Sequence, residues 1–189
     1  MKLYFILDPM CSWCWGFRSA FERLRSALPE QVQIQYVMGG LAPDSDEPMP
    51  EKTRDYVQSQ WKLVSNQTGA EFNWDFWQRC QPRRSTYPAC RAVIAAGLQN
   101  EDARAKMIYA IQRAYYLDAK NPSDLDTLIE CATEIGLDAQ RFTRDMQSAQ
   151  IDQLLKDELD LGRQLGVTSF PSLRLEVNGT LHDIGIDYR

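Results

Sequence analysis

The sequence predicts an α/β fold, and three observations carry that prediction. Residues 3–7 form an almost unbroken apolar run, Leu-Tyr-Phe-Ile-Leu, which suits a central strand covered on both faces better than a half-exposed one. From Cys14 onward Phe17, Phe21, Leu24 and Leu28 recur at helical spacing, after which Val32, Ile34, Tyr36 and Met38 alternate with Gln33, Gln35 and Val37 as a second strand. Two further alternating runs flank Asn178-Gly179, the strongest short signal for a hairpin.

Asp8-Pro9 ends the first strand and Pro29 stops the helix, so the opening segment reads as a βαβ unit with a parallel pair. Gly39-Gly40 and the proline-rich, acidic stretch to Pro50 form a loop that leaves the sheet. From 51 to about 166 there is no strand pattern, only helical ones, at 51–66, 73–80, 88–99, 101–118, 123–135, 138–146 and 151–165. Ser123-Asp124 supplies an N-cap and Gly136 a C-terminal stop, while Ala103, Met107, Ala110, Ile111, Ala114 and Tyr115 share one helical face. The expected plan is a thioredoxin-like sheet domain, 1–50 and 151–189, interrupted by an all-helical domain, 51–150.

With 44% hydrophobic residues, a 189-residue chain buries a sufficient core without disulfides. A net charge of −5 and the lack of a long basic run argue against nucleic acid or an anionic membrane as partner. Met1-Lys2 leads directly into the first strand with no secretory n-region or h-region, and no window has the length of a membrane span, so the expected location is the cytoplasm. There, ordinary thiols stay reduced.

The chemistry concentrates in Cys11-Ser12-Trp13-Cys14, where the first strand hands over to the helix. A first cysteine at a helix start meets unpaired amide donors whose partial positive charge favours thiolate, which makes Cys11 the candidate nucleophile and Cys14 the resolving thiol. The competing reading, half of a structural zinc site, needs two more ligands at short spacing. Cys80, Cys90 and Cys131 are scattered and His182 is the one histidine, so no resident metal or cofactor is expected. Asp8 either accepts a proton from Cys14 or bonds loop amides as an Asx turn, the second being the structural reading. Among the apolar residues of the turn, Phe17 is assigned to the core and Trp13 to an exposed contact surface. Arg79, Arg83, Arg84 and Arg91 make a basic patch suited to the carboxylates of glutathione or an acidic substrate, or simply to solvent. Cys80 and Cys90 are expected as free thiols, and Cys131 and His182 in structural roles.

The chain resembles the DsbA-like thioredoxin-fold family with an inserted helical domain, and within it the FrnE-like group of cytoplasmic protein-disulfide isomerases. The resemblance rests on residues 8–16 (Asp-Pro-Met-Cys-Ser-Trp-Cys-Trp-Gly), on 87–92 (Tyr-Pro-Ala-Cys-Arg-Ala) and on 166–171 (Gly-Val-Thr-Ser-Phe-Pro). It implies that Cys11 attacks disulfides, that Cys14 resolves the mixed disulfide, and that Pro171 is a cis-proline beside the sulfurs, with Trp13, Phe170 and Pro171 contacting substrate. Strongly oxidising members carry Pro-His between the cysteines; Ser12-Trp13 here implies less thiolate stabilisation and a potential toward the reducing end of roughly −270 to −120 mV. The implied function is thiol-disulfide oxidoreductase, as protein disulfide isomerase or reductase, on protein or low-molecular-weight disulfides, cycling with glutathione or thioredoxin-type partners. A glutathione-dependent transferase or isomerase and a non-catalytic binding or chaperone module are the alternatives.

Overall fold

The first strand, β1 (Lys2–Leu7), is central because its side chains find apolar cover in both directions. It pairs in parallel with β2 (Gln33–Met38), aligning Phe5 with Tyr36, and antiparallel with β3 (Ser172–Val177), aligning Phe5 with Leu173. A computed structural model describing residues 1–189 gives the sheet order β2-β1-β3-β4, with β4 (Thr180–Ile184) joined to β3 through Asn178-Gly179. Both turn residues have positive φ, 52° and 79°, the conformation of a two-residue hairpin loop.

Helix α1 (Ser12–Ala27) covers one face, where Phe5 meets Phe21 and Phe17 at ring separations of 4.0 and 6.0 Å. On the opposite face Tyr4, Ile6 and Val37 pack with Leu165, which follows α8 (Ala149–Gln164). Between β2 and α8 the chain is wholly helical apart from its connections: α2 (Glu51–Thr68), α3 (Phe76–Arg79), α4 (Tyr87–Gln99), α5 (Ala103–Tyr116), α6 (Leu125–Glu134) and α7 (Ala139–Met146). The face of α5 marked by Ala103, Met107, Ala110, Ile111, Ala114 and Tyr115 is buried throughout, as its spacing predicts.

Two departures from the sequence reading have local causes. The helix expected over 73–80 shrinks to the single turn of α3, because Asn73 is engaged with Tyr116 and Leu117 carbonyls and its own Oδ1 accepts the Asp75 amide at 3.0 Å. At the start of α6, Asp124 takes the N-cap position without capping; its carboxylate pairs with Arg83 at 2.6 Å, and Ser123 donates to the Ser85 carbonyl. Gly136, with φ of 81°, does stop that helix.

Two devices fasten the helices to the sheet. Trp61 of α2, fully buried, is ringed by Phe72, Trp74, Phe76, Trp77, Tyr115 and Tyr116, and the cluster reaches α1 through a stack of Tyr116 on Trp15 at 5.5 Å. Arg104 of α5 donates to Glu158 of α8 at 2.5 Å, and the other Glu158 oxygen accepts the Met38 amide of β2 at 2.7 Å. Removing one member of such a buried pair typically costs about 3–5 kcal/mol.

Gly16 lies where α1 crosses α2, and a Cβ there would stand 2.7 Å from Val64 Cγ1 and 3.1 Å from Thr68 Oγ1. Val64 is fully buried and branched at Cβ, so it has no room to turn aside. Gly16→Ala gains about 1 kcal/mol of helix propensity and loses about 1–3 kcal/mol to overpacking. The expected balance is a lower urea midpoint with an unchanged slope; a higher midpoint would mean that α1 and α2 have slack at this crossing.

Candidate active site

Asp8 immediately follows the central strand and has no solvent exposure. Its Oδ1 accepts the Met10 amide at 2.8 Å, the Asx turn expected from the sequence. Its Oδ2 accepts the Leu41 amide at 2.7 Å, the Thr86 hydroxyl at 2.6 Å and the Cys90 thiol at 3.6 Å. One carboxyl thus joins the end of β1, the loop after β2 and the start of α4. Burial pushes its pKa up, and the bonds from Thr86, Leu41, Met10 and Cys90 act in the opposite direction.

The Asp8 carbonyl accepts the Cys11 amide at 3.0 Å, which places Cys11 at the N-cap of α1 with extended backbone. Its Sγ lies 3.7 Å from the Phe170 carbonyl oxygen. Cys14, one turn along, is only 1% exposed. Burial, then hydrogen bonding and charge interaction with Cys11, push the Cys14 thiol well above its ordinary range, against a backbone hydrogen bond with Asp8. The two thiols are therefore chemically unequal. Cys11 is the one at the helix amides and at the edge of an open groove, and Cys14 lies behind it.

The Phe170–Pro171 peptide is cis. Phe170 reaches across to Gly39, where an added Cβ would fall 2.2 Å from its ring, so glycine is what allows that ring beside Cys11. Phe170, Cys11 and Trp13 line a groove of about 300 Å³ that Leu41, Tyr56 and Arg84 also line. Tyr56 is 60% exposed and stands on α2. Trp13 is half-buried rather than exposed: its indole N–H donates to Gln60 at 3.1 Å and its ring packs against Tyr188 at 5.3 Å. Phe17 is core, as assigned.

The arginines adjacent in sequence do not form one patch. Arg83 pairs with Asp124, Arg91 with Asp44 and Asp152, Arg79 is exposed, and Arg84 alone lines the groove beside Cys11. Cys80 donates to the Ala119 carbonyl at 3.2 Å while Cys90 turns to Asp8. Cys131 is buried, with a thiol pushed up to about 11 by burial first and Glu134 second. His182 lies exposed on β4 opposite Leu175. No group of three or more His, Cys, Asp or Glu side chains is placed to hold a metal ion, and no helix is long and apolar enough to cross a membrane. Tyr56 and Thr86 were not singled out from the sequence, and Gly39 was read only as the start of a loop; each acts through a contact that only the fold creates.

A family model described as thioredoxin matches residues 4–186. Among solved structures, a candidate protein disulfide isomerase from Nitrosomonas europaea superposes with a TM-score of 0.88 at 29% identity, covering 100% of this chain and 90% of that one. The cytosolic disulfide reductase DsbM from Pseudomonas aeruginosa superposes with a TM-score of 0.83 at 24% identity, covering 98% of this chain and 89% of that one. The ClpXP adapter protein SpxH of Halalkalibacterium halodurans is 23% identical over 176 residues, 91% of this chain and 57% of the adapter. This chain therefore spans less than two thirds of that relative's length.

Burial and the raised Cys14 thiol give an order of reactivity. Iodoacetamide at neutral pH should modify Cys11 at least about tenfold faster than the more deeply buried Cys14 and Cys90; peptide mass mapping reads the order, and first reaction at Cys14 contradicts it. The Asp8 carboxyl gives a pH dependence. Its folded pKa lies above the unfolded value of about 3.9, so its contribution to stability is full below that value and is lost as pH rises through the folded one. Relative to Asp8→Asn, the wild type should lose unfolding free energy as the pH is raised from about 4. Urea midpoints across pH check this, and a relative gain by the wild type contradicts it.

Proposed function

The chain belongs to the thioredoxin family, in its DsbA-like form with inserted helices, and we propose that it is a cytoplasmic thiol–disulfide oxidoreductase in which Cys11 and Cys14 are the redox pair. The observation that carries this reading is the inequality of the two sulfurs, one at the helix start and lining the groove with 6% exposure, the other 1% exposed behind it with its thiol pushed up by burial. Residues 1–50 and 151–189 act as the redox scaffold, and 51–150 as the helical domain that contributes Tyr56 and Arg84 to the groove.

The Cys11 thiolate attacks a disulfide RS–SR′, forming the Cys11–SR bond, and R′S⁻ leaves and takes a proton from solvent. Cys14, once deprotonated, attacks the Cys11 sulfur. The Cys11–Cys14 bond forms, RS⁻ leaves and is protonated, and two electrons have passed from the dithiol to the substrate. Two molecules of glutathione, or one dithiol protein of the thioredoxin type, reverse the sequence and restore the reduced pair. If Cys11 is displaced by another thiol of the same substrate before Cys14 acts, the outcome is isomerisation.

Phe170 positions the substrate. Its amide donates to no protein group and its carbonyl accepts only the Cys11 thiol, so an extended substrate segment can pair with this backbone. Such pairing reads main chain and accepts many protein substrates, while Trp13, Phe170 and Pro171 add apolar contact. Ser12-Trp13 between the cysteines favours the reducing direction, since Trp13 has no charge to offer a thiolate.

A second reading, a protein-binding module, is favoured by the adapter role named for SpxH. Reduction of insulin disulfides by dithiothreitol separates the readings. The wild type should accelerate it, Cys11→Ser should abolish the acceleration, and Cys14→Ala should accumulate mixed disulfides on non-reducing gels. No acceleration by the wild type together with tight partner binding favours the module; full turnover by Cys14→Ser with glutathione favours a glutathione-dependent transferase.

A further inference from the structure

Arg84 is the only charged side chain that lines the groove beside Cys11. Its neighbours in the chain are neutralised, Arg83 by Asp124 at 2.6 Å and Arg91 by Asp44 at 2.6 Å and Asp152 at 3.3 Å. Arg84 makes no ion pair and no hydrogen bond although it is half-buried. Its guanidinium nitrogens stay in contact with water and engage no protein acceptor, so the full fork of donors is free for an incoming group. The groove has no Asp or Glu in its lining, in a chain of net charge −5. Arg84 and the amides at the start of α1 make it a local positive site on an otherwise negative molecule.

We propose that Arg84 is a specificity-determining residue that receives a carboxylate of the substrate, so that the groove selects disulfides bearing a carboxylate near the sulfur attacked by Cys11. The inference rests on the oxidoreductase reading above and deepens it. A planar fork of donors takes a carboxylate through two parallel bonds, which fixes the substrate's orientation as well as its charge. The volume of about 300 Å³ fits one arm of a small peptide disulfide or one acidic side chain beside a protein cystine. The two sources share one chemistry.

The test compares three small disulfides that differ in charge: 3,3′-dithiodipropionate, 2-hydroxyethyl disulfide and cystamine. The wild type should give the highest kcat/KM with the dicarboxylate and the lowest with cystamine. Arg84→Gln should reduce kcat/KM for the dicarboxylate about tenfold, mainly through KM, and leave 2-hydroxyethyl disulfide unchanged. Arg84→Lys should restore part of the loss, and Arg84→Glu should invert the preference toward cystamine. Peptide disulfides with Asp or Asn beside the cystine separate the sources, since a preference extending to the Asp peptide assigns an acidic protein segment and one confined to dithiodipropionate assigns a low-molecular-weight substrate. Equal loss on all three disulfides overturns the inference, as does turnover by the wild type without charge preference. A wild type that reduces none of them overturns the oxidoreductase reading and this inference with it.

Discussion

The structure depends on a carboxyl with no access to water. Asp8 collects the Met10 and Leu41 amides, the Thr86 hydroxyl and the Cys90 thiol, and its own carbonyl holds the Cys11 amide. Those partners belong to the cysteine turn, to the loop that leaves the sheet and to the first turn of α4, so the inserted helices are tied to the sheet at the point where the sulfurs sit. A buried acid is costly unless its lone pairs are occupied, and here four donors occupy them. The cost is retained as a raised pKa. Geometry at Cys11 is thereby fixed from below, by a carboxyl that does not itself line the groove.

Above this hub, the helical insertion turns a strand–helix corner into a groove. The aromatic ring around Trp61 holds α2 in place, and Trp15 stacks on Tyr116, so α1 is braced on the side away from the sheet. Arg104 and Glu158 clamp α5, α8 and β2 together beneath. With both flanks braced, Cys14 stays dry and its thiol stays protonated, while Cys11 stands at the groove's edge. The asymmetry that the proposed mixed-disulfide mechanism needs is thus a packing property: the sheet hides one sulfur and the insertion shapes the approach to the other.

Much of this was legible in the sequence where a local period or a short motif sets the structure. The apolar run of β1, the 3.6-residue repeat of α1 and Asn178-Gly179 each encode one element, and all three are present in the expected order. The cysteine pair is likewise a contiguous motif, whereas the cis bond at Phe170-Pro171 was expected only through the family resemblance. What was not legible depends on partners remote in sequence. Asp8 looked like an Asx turn because Met10 is two residues away, whereas Thr86 is 78 residues away and nothing local announces it. Four arginines within a short stretch looked like a patch until the fold gave two of them separate acids and turned only Arg84 to the groove. Asp124 looked like a cap until Arg83 engaged it. Side chains with several uses are decided by tertiary competition, which periodicity does not record.

The central claim is that Cys11 and Cys14 form one two-electron centre rather than two independent thiols. Equilibrating the protein in glutathione buffers of graded ratio, quenching with acid and counting free thiols by mass measures this directly. The account predicts a Cys11–Cys14 disulfide that appears with a two-electron slope of about 30 mV per decade, at a potential toward the reducing end of roughly −270 to −120 mV. A protein that ends with glutathione on Cys11 and a free Cys14 at every ratio would contradict it.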